Sequence, residues 1–376
     1  MKTTLRRVSL PDHKRILMIS DIHGHASGLR AVLRKVGFSK DDVLIIVGDL
    51  VEKGPESLST LRLVMELCRT HTVYPLMGNV DLWRWEYLHG EVSGDWPRMA
   101  DYAFRAREWW GSSLLHEMCR EMGEPLTRET DLDALLPRVR SRFAPEIAFL
   151  GGLPTILETQ NMIFVHGGIP HERLSDLEGT DAYPLLKFDD FYNAGLSFQK
   201  YVVVGHWPAV LYSETYPVFS PLIDRRRRVI SLDGACGVKM EGQLNLLSLP
   251  DWQSEDFSLT TWDALPTLTA LDRQAPSPGE KARYIRWNDH AVTLLHSGEE
   301  MSQVLYHGAP MDVPTQYIFQ HHGVLSCSDT TDYALPVEPG DRLGLILRLR
   351  RGCYVKKNNV SGWYFGRYEM NEVKET

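Results

Sequence analysis

Residues 42–55 read DVLIIVGDLVEKGP, from Asp42 to Pro55. Val43 to Val47 is a short apolar run rich in β-branched residues, bounded by charged and glycine positions, and it predicts a buried strand. The run stops at Gly48-Asp49. A carboxylate at the C-terminal mouth of a buried strand is costly unless a cation meets it. That cation is a lysine, an arginine or a metal ion, and the flanking sequence bears on which.

On either side the pattern repeats. Arg15 to Ser20 predicts a second apolar strand, ending at Asp21-Ile-His-Gly-His25 and followed by a helix from Ala26 to Val36. Downstream, Glu56 to Thr70 predicts a helix with Leu58, Leu61, Leu63, Val64, Met65 and Leu67 on a broad apolar face. Thr72 to Leu76 predicts a third strand, with Gly78-Asn79 at its end. This βαβαβ order gathers polar residues at strand ends, which line one crevice in a mostly parallel sheet.

The bulk composition is that of a globular chain. It has 376 residues, 43% hydrophobic and 24% charged, with a formal net charge of -8. The length suffices for one large core and a smaller module. The negative balance makes nucleic acid an unexpected partner. A signal-peptide apolar region and an apolar run near ~18 residues are both lacking, so neither secretion nor a membrane is expected. Five scattered cysteines (68, 119, 236, 327, 353) show no CxxC pairing and predict reduced thiols and a cytoplasmic protein.

From Asp81 to about Ala144 the chain is rich in Trp, Arg, Glu and Met, with helical spacing in Trp96 to Glu121 and Asp131 to Arg142. We expect a helical insert at about 82–145, covering one side of the crevice. Strands resume at Pro154 to Thr159 and at Met162 to Val165, which ends in His166-Gly-Gly168. Tyr201 to Val204 ends in Gly205-His206. A hairpin through Arg225 to Arg228 leads to Val229–Leu232 and Leu244–Leu249, and the core is expected to close near Pro250. Residues 251–322 read as a linker or wrapping segment with possible short strands at Tyr284 to Leu295 and Gln316 to Phe319. Residues 323–376 read as a small all-β module.

Strand ends thus carry Asp21 and His23, Asp49, Asn79, His166 and His206. Singly, each has a plain structural explanation as a cap or a hydrogen-bonded histidine. Together, carboxylate, amide and imidazole at successive strand ends are what two nearby divalent cations need, one carboxylate bridging them at ~3.5–4 Å. Mixed nitrogen and oxygen ligation suits Mn first, with Fe, Zn or Ni also compatible.

DIHG at 21–24, GDLVEKGPESL at 48–58, GN at 78–79, HGG at 166–168 and GH at 205–206 resemble the calcineurin-like metallophosphoesterases. The likeness runs from about Lys14 to Pro250, with LDGACG at 232–237 similar to that family's last strands. It is to the phosphoprotein phosphatase branch, which includes bacterial Ser/Thr phosphatases and symmetrical diadenosine tetraphosphatases. The resemblance implies an α/β fold, a β-sandwich flanked by helices, and a catalytic domain over 1–250. It implies that Asp21, His23 and Asp49 bind one metal, that Asp49 bridges, and that Asn79, His166 and His206 bind the second. A metal-bridging hydroxide would attack phosphorus in line, without a phosphoenzyme.

The chain also departs from that pattern. The family usually has a histidine after GN, which protonates the leaving oxygen; here it is Val80. The family usually has Asp-Arg where this chain has Glu52-Lys53. Lys53 still offers a point charge for phosphate, and Asp81 adjoins the vacated position. The expected catalytic set is therefore Asp49, His23, Lys53 and Asp81, with Lys53 and His25 on substrate and His25 or His171 as substitute acids. Loss of an acid costs ~10²–10⁴-fold, least for good leaving groups.

Several further stretches have two readings. Arg225 to Arg228 reads first as a solvated turn and second as a phosphate grip. Leu82 to Tyr87 reads equally as a base-stacking wall and as a packed helix face, whereas Trp109-Trp110 reads as packing and His321-His322 as a loop. Residues 334–346 and 352–367 resemble an SH3-like barrel, which implies a possible peptide partner at Trp363 and Tyr364. The expected function is a metal-dependent phosphoesterase acting on a phosphorylated protein or small molecule. A Ser/Thr-type protein phosphatase comes first. A diadenosine tetraphosphatase-like hydrolase and a weakened phospho-ligand-binding protein are the alternatives.

Overall fold

A computed structural model describes residues 1–90 and 96–371. The stretches 91–95 of the expected insert and 372–376 of the tail lie outside the described residues. The chain divides into two compact units, one of Met1–Pro208 with Pro221–Asp263, the other of Ala209–Ser220 with the residues from Ala264 on.

The first unit is built on eleven strands among its described residues. They are β1 (Leu5–Arg7), β2 (Ile16–Ile19), β3 (Val43–Ile46), β4 (Thr72–Pro75), β5 (Ile156–Glu158), β6 (Met162–Val165), β7 (Tyr201–Val204), β8 (Leu222–Asp224), β9 (Val229–Ser231), β10 (Leu244–Leu249) and β11 (Ser258–Trp262). They form a five-stranded sheet, β11-β10-β2-β3-β4, and a six-stranded sheet, β1-β5-β6-β7-β9-β8. The trio β2, β3 and β4 is parallel, in the register Ile16↔Val43↔Thr72.

Period-2 alternation explains why these strands read as unbroken apolar runs. Ile16, Met18, Val43, Ile45 and Val47 face inward against Leu157, Phe164, Val203 and Ile230 of the other sheet. Their neighbours Leu17, Ile19, Leu44 and Ile46 face outward beneath helices. Ile163, Val165, Val202 and Val204 likewise bury the other outer face against Leu174, Leu185, Phe191 and Phe198. The result is a β-sandwich flanked by helices.

Two helices follow the parallel strands. Helix α1 (Ala26–Val36) buries Leu29, Val32 and Leu33 and stops at Gly37, whose left-handed φ of 65° allows its N–H and that of Phe38 to close back on the last turn. Helix α2 (Ser57–Thr70) buries Leu58, Leu61 and Val64. The insert contains α3 (Asn79–His89), α4 (Trp96–Trp110), α5 (Leu114–Glu121), α6 (Leu132–Arg142) and α7 (Ala144–Gly151). Its apolar residues Leu82, Tyr87, Leu114, Met118, Leu135, Phe143 and Leu150 share one core with α1 and α2. The insert is therefore part of the outer helical layer. Helix α3 starts on Asn79 itself, and the insert runs on through α7, which the composition did not mark off from what precedes it.

The core does not close near Pro250. Ser258–Trp262 pairs antiparallel with β10 and lengthens the sheet. The rest of the expected linker is built too, in the second unit, whose pairings among the described strands are all antiparallel. Thr267–Ala270 sits inside a five-stranded sheet with Arg342–Leu349, Gly352–Lys357, Val360–Tyr364 and Tyr368–Met370. Thr293–His296, Met301–Tyr306 and Ala309–Pro314 make a three-stranded sheet. Only the first of these overlaps an expected strand, at residues 293–295; exposed residues break the alternation, and all four positions of Thr293–His296 are exposed.

Trp363 and Tyr364 correct the sequence reading. Both are buried, Trp363 donating to Thr331 O and Tyr364 donating to Asp272 O, so neither lines a groove for a peptide. His322 lies at a turn with φ 48°, as expected of a loop, but His321 ends the strand Ile318–His321 and pairs with Val324. All five cysteines are free. Among the described residues no helix is long and apolar enough to cross a membrane.

Candidate metal centre

Strands β2 and β3 of the parallel trio, and β7 of the other sheet, run into residues with left-handed backbone. Asp21, His23, Asp49 and His206 have φ of 53°, 44°, 52° and 66°. Left-handed backbone at a residue with a Cβ costs about 1–3 kcal/mol each and persists where the surroundings over-determine it. Here the loops zip together: Asp21 N–H donates to Gly48 O, His23 N–H to Asp49 O, Gly24 N–H to Leu50 O and Gly205 N–H to His166 O. Gly78 fits because a Cβ there would strike the backbone and carboxylate of Asp49.

Asp21, His23 and Asp49 are buried with their ligand atoms mutually within 4.8 Å. His23 Nε2 lies 3.8 Å from Asp21 and 3.5 Å from Asp49. Asn79, His166 and His206 adjoin them. Asn79 Oδ1 is 3.0 Å from His166 Nε2 and 2.9 Å from His206 Nδ1, and His166 Nε2 is 3.4 Å from Asp49 Oδ2. All six residues are thus brought together.

The far ring nitrogens decide what this cluster can hold. His166 Nδ1 donates to Val47 O at 2.8 Å, His23 Nδ1 faces Val51 O at 3.4 Å, and His206 Nε2 faces Asp189 Oδ1 at 2.6 Å. With its proton held there, a ring in its neutral form turns a lone pair toward the carboxylate and amide oxygens. Six lone-pair donors converging on one buried volume fit divalent cations, and the hydrogen bonds behind the rings are the usual supports of metal-ligating histidines.

Burial pushes the Asp21 carboxyl up to about 6, with Asp49 adding to the rise. Burial acts likewise on Asp49, but the His166 and His23 rings and Lys53 hold it far below the usual range. His166 goes up to about 10 against its own burial because Asp49 and Asp21 face it. Burial, then the Lys53 charge, takes His23 down to about 3; burial, then His166, takes His206 down to about 4.

The remaining sequence candidates fall as follows. Lys53, with φ 59°, directs its charge at His23, Asp49 and Asp233, and among the described residues makes no ion pair. His25 is half-buried before α1, its Nδ1 3.1 Å from Ile22 O. Asp81, in the first turn of α3, faces the Asp49 loop. Fully buried, its carboxylate accepts from Leu50 N at 2.9 Å, Val51 N at 3.2 Å and Gly78 N at 3.1 Å, pinning the Asp49 loop to α3. Burial and then Asp49 push it up to about 7. His171 has no hydrogen bond or ion pair to the cluster among the described residues. Arg225, Arg227 and Arg228 flank a turn and pair with Glu255, Asp224 and Glu255. In the 82–87 stretch Leu82 and Tyr87 are core, and Trp83 meets Tyr102 edge-on.

Sequence reasoning missed Asp189, Asp233 and Arg84. Asp189 lies in a loop with no motif. Asp233, inside LDGACG, is buried near Asp21, and burial drives its carboxyl well above the usual range. Arg84 forms a fully buried ion pair with Glu52 at 2.8 Å. Its pairing with a partner 32 residues away gave no sequence signal.

Comparison with known proteins gives the following. Residues 14–230 match the model of the calcineurin-like phosphoesterase family. A symmetrical bis(5'-nucleosyl)-tetraphosphatase of Shewanella frigidimarina is 26% identical over 256 residues, 67% of this chain and 79% of its own. Serine/threonine-protein phosphatase 2 of Escherichia coli is 38% identical over 63 residues, 16% of this chain and 29% of its own. Among solved structures, a protein serine/threonine phosphatase of Saccharomyces cerevisiae covers 70% of this chain and 85% of its own, with 12% identity and a TM-score of 0.43.

Proposed function

The chain belongs to the calcineurin-like phosphoesterases, metal-dependent hydrolases, and from that premise we propose that its substrate is a nucleotide phosphoanhydride of the dinucleoside polyphosphate class. The observation that carries this reading is the missing acid. Val80 occupies the position after Gly-Asn, and the neighbouring carboxyl of Asp81 is committed to three backbone N–H groups. A serine or threonine alkoxide needs a proton to leave; a phosphate oxygen leaves as a stable anion and does not. The similarity to a symmetrical bis(5'-nucleosyl)-tetraphosphatase over two thirds of the chain supports the same class.

In this reading Asp21, His23 and Asp49 hold one cation and Asn79, His166 and His206, with Asp49 shared, hold the other. Bound divalent cations would supply an activated water and neutralise phosphoryl oxygens. The mixed donor set suits manganese, iron, zinc or nickel. Lys53 would meet the substrate's phosphate as a point charge. Asp81 keeps the Asp49 loop in register, and Asp189 keeps the His206 proton on the ring nitrogen away from the site.

The test is turnover of diadenosine tetraphosphate, p-nitrophenyl phosphate and a phosphoserine peptide with Mn2+, for the unmodified chain and D49N. The expected result is activity on the first two exceeding that on the peptide by about 10² or more, and none in D49N. A Ser/Thr protein phosphatase, the reading that the short match to the E. coli enzyme favours, requires the peptide to be turned over fastest.

A further inference from the structure

The loop carrying Lys53 is fastened on both sides to one helix of the insert. Upstream, Glu52 has no exposed surface. Its Oε1 accepts from the N–H of Leu114, the first residue of α5, at 3.0 Å and from Arg84 Nε at 2.8 Å, and Tyr102 OH lies 3.4 Å from Oε2. Downstream, Glu117 of the same helix reaches back. Its two carboxylate oxygens accept from Ser57 N at 2.8 Å and Leu58 N at 2.9 Å, capping α2. Glu52 N–H also donates to Ser57 Oγ at 3.0 Å, so the two fastenings are joined across the loop.

These contacts form a reciprocal pair of caps. A glutamate of the catalytic loop sits at the N-terminus of α5, and a glutamate of α5 sits at the N-terminus of α2. Each carboxylate meets orphan N–H groups and the positive end of a helix dipole. Between them, Glu52 and Lys53 take left-handed φ of 68° and 59°, a strained course for residues with a Cβ. The Arg84 guanidinium is buried against the rings of Trp83, Tyr87 and Tyr102, its centre 4.9, 5.3 and 5.5 Å from them, which fixes the pair sideways as well.

We infer that Glu52 and Glu117 are positioning residues, and that through them α5 holds Lys53 in register with a phosphate at the metal centre. The inference rests on the reading of Lys53 as a phosphate contact. It gives the Glu52 position a use other than supporting an acid, in a chain that has no histidine at position 80 to support.

The test is a double-mutant cycle on the full chain with Mn2+, using p-nitrophenyl phosphate turnover, competition by inorganic phosphate, and hydrogen exchange of the 52–58 amides. Loss of a charge-assisted contact predicts that K53A raises both KM and the phosphate inhibition constant by about tenfold or more, with kcat changed less. E117Q should raise the same two constants and speed exchange at 52–58, and E117Q/K53A should be no worse than K53A alone. E52Q runs the same cycle from the other end of the loop should E117Q not fold. A KM unchanged in E117Q, or effects that multiply in the double variant while K53A alone is impaired, would overturn the positioning role and leave the Lys53 contact standing. An unchanged KM in K53A would remove the contact and the positioning role together.

Discussion

His206 Nε2 lies 2.6 Å from Asp189 Oδ1, and the opposite ring nitrogen faces Asn79 Oδ1 at 2.9 Å. Asp189 is kept ionised for this: against partial desolvation, hydrogen bonds from Lys187 and His206 hold its half-exposed carboxyl below the usual range. Such a carboxylate fixes the tautomer of a ligating histidine, and its loss typically costs ~10–100-fold in metal affinity. D189N should therefore weaken one of two bound Mn2+ ions by about that factor and leave the other near normal. A two-step titration followed calorimetrically checks this, and equal weakening of both ions would contradict it.

Metal binding should release protons in a pattern set by the site. Of the six residues, His166 binds its proton most tightly, up to about 10, and Asp21 next, at about 6, whereas His23 and His206 are already neutral above pH 5. A cation needs His166 neutral and Asp21 ionised, so affinity rises with pH. The slope of log affinity against pH should be about one between pH 6 and 8 and approach about two below pH 6. Calorimetry in buffers of different ionisation enthalpy measures the proton count directly. A slope near zero at pH 7 would mean that His166 carries no proton to lose.

Much of this was legible in the sequence because of one local rule: a buried strand that ends on Gly beside a polar residue. Ala26–Val36, Met162–Val165, Tyr201–Val204 and Leu244–Leu249 coincide with the expected elements residue for residue, since both faces of those strands are buried and α1 has a glycine stop. What sequence periodicity could not show is pairing at a distance. Asp189 meets His206 through a loop, Glu52 meets Arg84 across 32 residues, and Ser258–Trp262 joins the sheet with no fully buried residue to announce it. The second unit was underread for the same reason: half-exposed antiparallel strands carry a weaker pattern than parallel ones buried on both faces.

The buried ion pair should be expensive to break on one side. Arg84 and Glu52 are both fully buried, so R84M strands a carboxylate in the core and should cost about 3–5 kcal/mol. E52Q/R84M should recover part of that, because Gln keeps an acceptor for Leu114 N–H without the stranded charge. Thermal unfolding of the metal-loaded chain reads both. A double variant less stable than R84M would show that Glu52 contributes mainly through contacts other than Arg84.

Leaving-group dependence should expose the vacated acid position. With Val80 at the start of α3, rates on aryl and alkyl phosphates should fall steeply as the leaving oxygen becomes more basic. V80H should flatten that fall, with gains up to about 10²-fold on the poorest leaving groups and little on p-nitrophenyl phosphate. Parallel plots for the two proteins would mean that position 80 does not face the departing oxygen.

Asp49, the proposed bridging ligand, should be the most sterically exposed to mutation, through a residue with no side chain. A Cβ on Gly78 would collide with Asp49 at both its backbone nitrogen and Oδ1, while φ at Gly78 is an ordinary -101°. The clash is thus purely steric, and relieving it means moving the carboxylate that is proposed to bridge the cations. Gly37 supplies the opposite case: φ is 65° and nothing lies within 4 Å of an added Cβ. G37A should cost about 1–2 kcal/mol of backbone strain and keep the full metal complement. G78A should keep its helix content and lose at least one ion per chain. Metal analysis beside circular dichroism separates the two, and a fully metallated G78A would place Asp49 outside the bridging role.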